Sequence, residues 1–138
     1  MKNTFIVGLS LTSLNDAIGA QCAWVDVTNL ATLPPIVNPS DEGIAESAVM
    51  SSIADFVCRF SGFIESWGRD GDIVKLELST SNVPARVLSN ICPYIEKIVM
   101  NAVLAGLYAP QPQAKCVHSL FDAQRRQAEA RLKQMLAI

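Results

Sequence analysis

Residues 72–82, DIVKLELSTSN, decide how this chain is to be read. Val74, Leu76 and Leu78 alternate with Lys75 and Glu77, the two-residue period of a half-buried strand. The long segments on either side carry the helical period instead. A single strand inside a helical domain has no sheet to join. It can pair with a neighbouring subunit's strand, or pack as extended chain on its own helices. Val74, Leu76 and Leu78 need a cover, and an exposed strand edge attracts another strand. The intersubunit contact is therefore the favoured reading. The expected fold is all-α, a compact bundle of about four helices with a short extended segment over 73–78 between the two long ones.

Upstream, the pattern predicts a helix from Asp41 to Trp67, with Ser40 as its cap and Asp41 and Glu42 at the positive end of the dipole. Met50, Ile53, Val57, Phe60, Ile64 and Trp67 follow in steps of three and four, with Val49, Phe56 and Phe63 alongside. That register makes Trp67 a core residue, and Gly68, Asp70 and Gly71 stop the helix. Asp70 and Asp72 form a turn around Gly71 rather than a calcium loop, whose other ligand positions are missing. Further upstream, a short helix over Leu11–Gln21 is capped by Thr12 or Ser13. Irregular chain follows from Asp26 to Ser40, stiffened by Pro34, Pro35 and Pro39. FIVGLSL near the start is interrupted by Ser and lacks a following cleavage pattern, so it is not read as a signal peptide.

Downstream, Val83 to Tyr108 is the second long helix. Pro84 occupies a tolerated first-turn position, and Pro93 imposes a kink near Asn90–Pro93 or two helices in tandem. Its Ile91, Ile95, Ile98 and Val103 are expected to face the Met50–Trp67 stripe. After Pro110 and Pro112, a last helix runs from Ala114 to Met135. Val117, Phe121, Ala128, Leu132 and Met135 form its stripe, and Arg125–Glu129 and Glu129–Lys133 its exposed pairs. No apolar run approaches the ~20 residues that span a bilayer.

Half of the 138 residues are apolar and 17% are charged, which excludes disorder and favours association as a way to cover apolar surface. Residues 1–82 hold four basic side chains against ten acidic, and residues 83–138 seven against three, so halves of −6 and +4 make up the net −2. Opposite ends of that kind can meet head to tail. Cys22, Cys58, Cys92 and Cys116 form no CxxC pair, and His118 is the only histidine, so no zinc set is legible. The cysteines read as reduced, with Cys58 and Cys92 acting as small hydrophobes. No phosphate-loop, dinucleotide, zinc-protease or nucleophile-elbow motif occurs, and no cofactor or catalytic residue is assigned.

Four segments resemble the head-to-tail adaptor (connector, or head-completion) proteins of tailed bacteriophages, including the Mu-like group. These are LTSLNDAIGA followed by VDVTNLATLPP, then AVMSSIADFVCRFSGFIESW, VPARVLSNICPYIEKIVMNAVLAGLY and VHSLFDAQRRQAEARLKQML, in the family's order over nearly the whole chain. Pro93 and the length of the IVKLEL segment depart from the pattern. The resemblance implies a non-enzymatic virion protein, made in the host cytoplasm and placed at the head-tail junction. It would form a ring, commonly twelvefold, below the portal protein, extend the DNA channel and receive a neck or tail-completion protein, with no membrane partner. The domain would span 1–138, with a short helix and arm over 1–40, a helical core over 41–135 and a tail over 136–138. Val74, Leu76, Leu78, Met135, Leu136 and Ile138 are the expected subunit or portal contacts. Arg125, Arg126, Arg131 and Lys133 are the expected docking charges, or face packaged DNA without base specificity. The alternative is a small helical nucleic-acid-binding packaging accessory protein.

Overall fold

A computed structural model describes residues 4–28, 42–79, 85–108 and 115–136. The fold is α+β, which corrects the all-α expectation. In chain order it comprises β1 (Thr4–Ser10), α1 (Leu11–Thr28), α2 (Glu42–Arg59), β2 (Ile64–Asp70), β3 (Ile73–Ser79), α3 (Ala85–Tyr108) and α4 (Lys115–Leu136). The strands make one antiparallel sheet in the order β1-β3-β2. α1 runs past the expected Leu11–Gln21 and takes in Asp26–Thr28 of the irregular chain expected from Asp26 to Ser40, while 29–40 with the Ser40 cap, Pro84 and Ile138 lie outside the described residues.

The strand at 73–79 is thus real, but its partners belong to the same chain. β1 supplies one, with Val7 opposite Leu76 and Leu9 opposite Val74. β2 supplies the other, opposite the end that sequence periodicity assigned to a long helix. Phe60 N–H donates to Phe56 O at 3.0 Å, and a turn over Phe60–Phe63 then ends α2. Ile64 and Trp67 continue the three-four spacing without being helical. The reason is the Asp70-Gly71-Asp72-Ile73 turn. Gly71 adopts φ 62°, which a two-residue hairpin requires at its first loop position, and so folds 64–70 onto β3. A bulge at Glu65 lets the register shift between Ile64 and Ser66.

Alternation then sorts the sheet into two faces. Val7, Leu9, Val74, Leu76 and Leu78 point inward and are buried, with Phe5 packed beside them. They share a single core with Ile53, Phe56 and Phe60 of the α2 segment and with Ile91, Ile95, Ile98 and Val103 of α3. The expected α2–α3 core is therefore present, but a sheet closes it. Trp67 is not part of it and stays 40% exposed at the edge strand.

α3 is one continuous helix through Pro93, not two in tandem, with the proline ring on its exposed side. Residues 87–108 are long and apolar enough to cross a membrane by length and composition, contrary to expectation. Ile91, Ile95, Ile98, Val99 and Leu104 of this helix are fully buried in the core. α3 packs most extensively on α4, where Tyr108 and Phe121 stack at 5.9 Å. His118 Nδ1–H donates to Ala105 O at 2.8 Å and so satisfies one of the last carbonyls of α3. His118 thereby ties α4 to the end of α3.

Candidate functional site

Two surfaces and one clamp follow from this arrangement. The clamp joins the hairpin turn to the start of α1. β1 runs straight into α1, and Ser10 is its N-cap, accepting from Ser13 N–H at 3.2 Å. Thr12 and Ser13, the expected caps, stand inside the helix. Asp72 then reaches the same terminus from the hairpin. Its Oδ1 accepts from Thr12 Oγ1 at 2.7 Å and Thr12 N–H at 3.1 Å, and its Oδ2 from Ser10 Oγ at 2.9 Å. The Thr12 hydroxyl, followed by that of Ser10, holds the Asp72 carboxyl below the usual carboxylate range. The aspartate expected only to shape a turn therefore also ties the sheet to α1.

The first surface is the solvent face and edge of the sheet. Ile6, Ser66, Trp67, Gly68, Arg69, Asp70, Lys75 and Glu77 line a shallow depression here. Ile6, at 62% exposure, and Trp67 are two of the three large hydrophobics left exposed among the described residues. Ser66 Oγ donates to Glu77 Oε2 at 2.8 Å across the outer face. Arg69 leans the other way and pairs with Glu46 on α2.

The second surface is a groove between α3 and α4. Its upper part is lined by Val87, Asn90, Pro93, Tyr94, Lys97 and Met135, and its lower part by Tyr94, Lys97, Gln124, Gln127, Ala128 and Arg131. Among the described residues, Lys97 and Arg131 have no carboxylate within ion-pair distance, so the groove is positive.

The expected site residues divide among these places. Val74, Leu76 and Leu78 are internal at 0–1% exposure, which corrects their assignment to a subunit or portal contact. Met135 is half-buried at the groove, and Leu136 is buried in the core rather than free in a tail. Arg125 is only 18% exposed in its side chain and is committed to Asp122 and Glu129, at 2.8 and 3.0 Å. Arg126 pairs with the same Asp122 at 3.0 Å but is 73% exposed. Glu129 binds Arg59 of α2 at 2.8 Å as well as Arg125, so the expected Arg125–Glu129 pair exists but is not solvated. Lys133 lies over the Phe60 ring at 5.7 Å. Of the four expected docking charges, Arg131 and Lys133 are exposed and have no carboxylate within ion-pair distance among the described residues, Lys133 resting on the Phe60 ring. The Arg125 hydrogen bond, followed by the nearby guanidinium charges, lowers the Asp122 carboxyl below its ordinary range.

Lys97 and Tyr94 were not singled out by sequence, because each sits singly in an apolar helix. The edge strand 64–70 was missed although the Asp70-Gly71-Asp72-Ile73 turn that opens IVKLEL is a hairpin signal. Cys58 and Cys116 are free and exposed, so Cys58 is not the buried small hydrophobe expected. Cys92 is half-buried, and burial, with a hydrogen bond to Glu96, pushes its thiol up to about 12. No family model, curated protein or solved structure matches this chain.

Proposed function

We propose that the protein is a structural subunit of a tailed-phage virion, assembling as a ring below the portal and receiving a neck or tail protein. The observation that carries the reading is the separation of charge. The groove of α3 and α4 holds Lys97 and Arg131, which have no carboxylate within ion-pair distance among the described residues, whereas the first 82 residues carry the acidic excess. A subunit with a positive groove in one half of its chain and an acidic excess in the other can meet its own copy head to tail. Such heterologous contacts close into rings when the rotation allows. The order of helical segments supports the phage assignment, and the three-stranded sheet is a departure from the helical subunit that the resemblance implies. The internal pairing of Arg125 with two carboxylates takes that cation out of any phosphate-binding face, which weighs against a nucleic-acid-binding accessory protein.

Negative-stain imaging of the purified protein, alone and mixed with its portal, tests the proposal. Rings on the portal are the expected result. Lys97→Glu combined with Arg131→Glu should abolish them while the fold is kept. A protein that never joins portal rings would overturn the reading.

A further inference from the structure

We propose that β2 is a seam on which two copies of this chain pair antiparallel, about a two-fold axis through Trp67. The inference stands apart from the virion reading. A two-fold contact closes on itself and describes the free subunit, whereas ring contacts are heterologous and use other surfaces.

Main-chain parity shows which strand edge is open. Ser79 N–H donates to Phe63 O at 2.8 Å, so odd-numbered residues of β3 direct their main-chain groups to the β2 side and even-numbered ones to β1. Trp67 and Arg69 stand opposite Leu76 and Val74, both even. Their own N–H and C=O groups therefore turn outward, away from β3. The same parity turns Gly8 outward on β1, but there α3 stands against the edge, with the Cys92 thiol 3.9 Å from Gly8 O. The two edges differ. One is faced by a helix, and along the other every residue from Glu65 to Asp70 is exposed.

The sequence of the open edge is complementary to itself. Laid antiparallel on a second copy and centred on Trp67, the segment IESWGRD sets Trp67 against Trp67, Ser66 against Gly68 and Glu65 against Arg69, twice over. This register sets the outward-turned main-chain groups of Trp67 against those of Trp67 in the second copy and places opposite charges together at both ends. It also gives Trp67, exposed at 40%, an aromatic neighbour directly across the seam. Registers centred on Ser66 or Gly68 still set outward-turned groups against one another but lose the opposition of Glu65 and Arg69, as does any register centred farther away. The occupant is thus a second copy of this chain.

Light scattering on the full chain at about 200 μM, where even a weak pair is populated, should give twice the 14.9 kDa of one chain. Arg69→Glu sets like charges opposite at both ends of the seam and should weaken pairing about tenfold or more. Glu65→Arg with Arg69→Glu restores opposition and should return the affinity to near wild type. The intrachain Arg69–Glu46 pair cannot account for that rescue, because the swap leaves Glu46 facing a carboxylate. Hydrogen exchange on the unmutated protein adds a readout free of folding defects. Protection at Trp67 and Arg69 amides should rise with protein concentration. A monomer at the highest concentration overturns the proposal, as does a dimer indifferent to Arg69→Glu, one that the double swap fails to restore, or unchanging protection over 64–70.

Discussion

The α3–α4 hairpin and the sheet are stabilised over very different distances along the chain. In the hairpin, His118 meets Ala105 across 13 residues and Arg125 meets Asp122 and Glu129 within one or two turns. In the sheet, Ser10 and Thr12 meet Asp72 across 62 and 60 residues, and β1 pairs with a strand that follows two intervening helices. Yet the two regions share one core, since Leu76 and Leu78 belong to the same buried cluster as Ile95 and Leu132. The local and the non-local unit thus share a single core.

The sharpest way to break that comparison is Leu76→Ser. Leu76 is fully buried on the central strand, so the change adds a buried hydroxyl to the lost side chain. It should exceed the ~2–5 kcal/mol of a core Leu→Ala replacement. With one core, helical and tertiary signals should be lost together in urea. If the α3–α4 hairpin were independent, the far-ultraviolet helical signal would survive the loss of tertiary packing. Phe60→Ala follows at about 3–5 kcal/mol. Phe60 stacks on Phe56 at 4.7 Å, where α2 ends and the sheet begins, and Lys133 of α4 covers its ring. A melting temperature unchanged by this substitution would separate the two regions.

The same contrast explains what could be read from sequence. Helices α3 and α4 were legible to within a few residues because their signals are local: stripes, prolines, and charges spaced four apart. The strand at 73–79 was legible too, since alternation is equally local. Its partners were not, because pairing is non-local and the partners were disguised. Ile64 and Trp67 continue the helical spacing of Met50 to Phe60, and β1 carries the apolar run weighed as a leader. One strand without two visible partners places Val74, Leu76 and Leu78 at an interface, whereas the sheet places them in the core. For the candidate surfaces, Arg131 was legible as an exposed cation and Arg125 was not, because its partner Glu129 is fixed in turn by Arg59 of another helix. Lys97 and the open edge of β2 emerge only when the groove and the main-chain parity are known.

A smaller effect tests the tie between α4 and α2. Glu129 is 8% exposed and accepts from two guanidinium groups. Glu129→Ala should cost about 1–3 kcal/mol, since Arg125 keeps Asp122 and Arg59 can turn to water. Glu129→Gln keeps an acceptor and should cost roughly half as much. Urea midpoints at neutral pH check both. A null result for Glu129→Ala would mean that helix packing alone fixes α4.

The smallest effect belongs to Asp72 and is seen in acid. Its carboxyl is held below the ordinary value of 3.8 by Thr12, then Ser10, so the unfolded chain binds its proton at higher pH than the folded one. The unfolded state therefore carries more protons as the pH falls towards and through 3.8, and stability declines there. The contribution is complete above that value and is lost as the pH drops through the lower, folded-state one. Asp122 behaves alike and adds to the same acid limb. Asp72→Asn keeps an oxygen that can accept from Thr12 N–H, and asparagine suits helix caps, so the neutral-pH loss should be slight. Solvent screens the exposed clamp and limits it further. The variant should differ from wild type in the slope of its urea midpoint between about pH 6 and pH 3, falling less steeply because one depressed carboxyl is gone. Asp122→Asn should flatten the same limb from the helical side. If both variants keep the wild-type slope, neither the clamp nor the α4 network contributes to acid sensitivity. If only Asp72→Asn flattens it, the long-range tie between sheet and α1 yields to acid before the local pairs of α4.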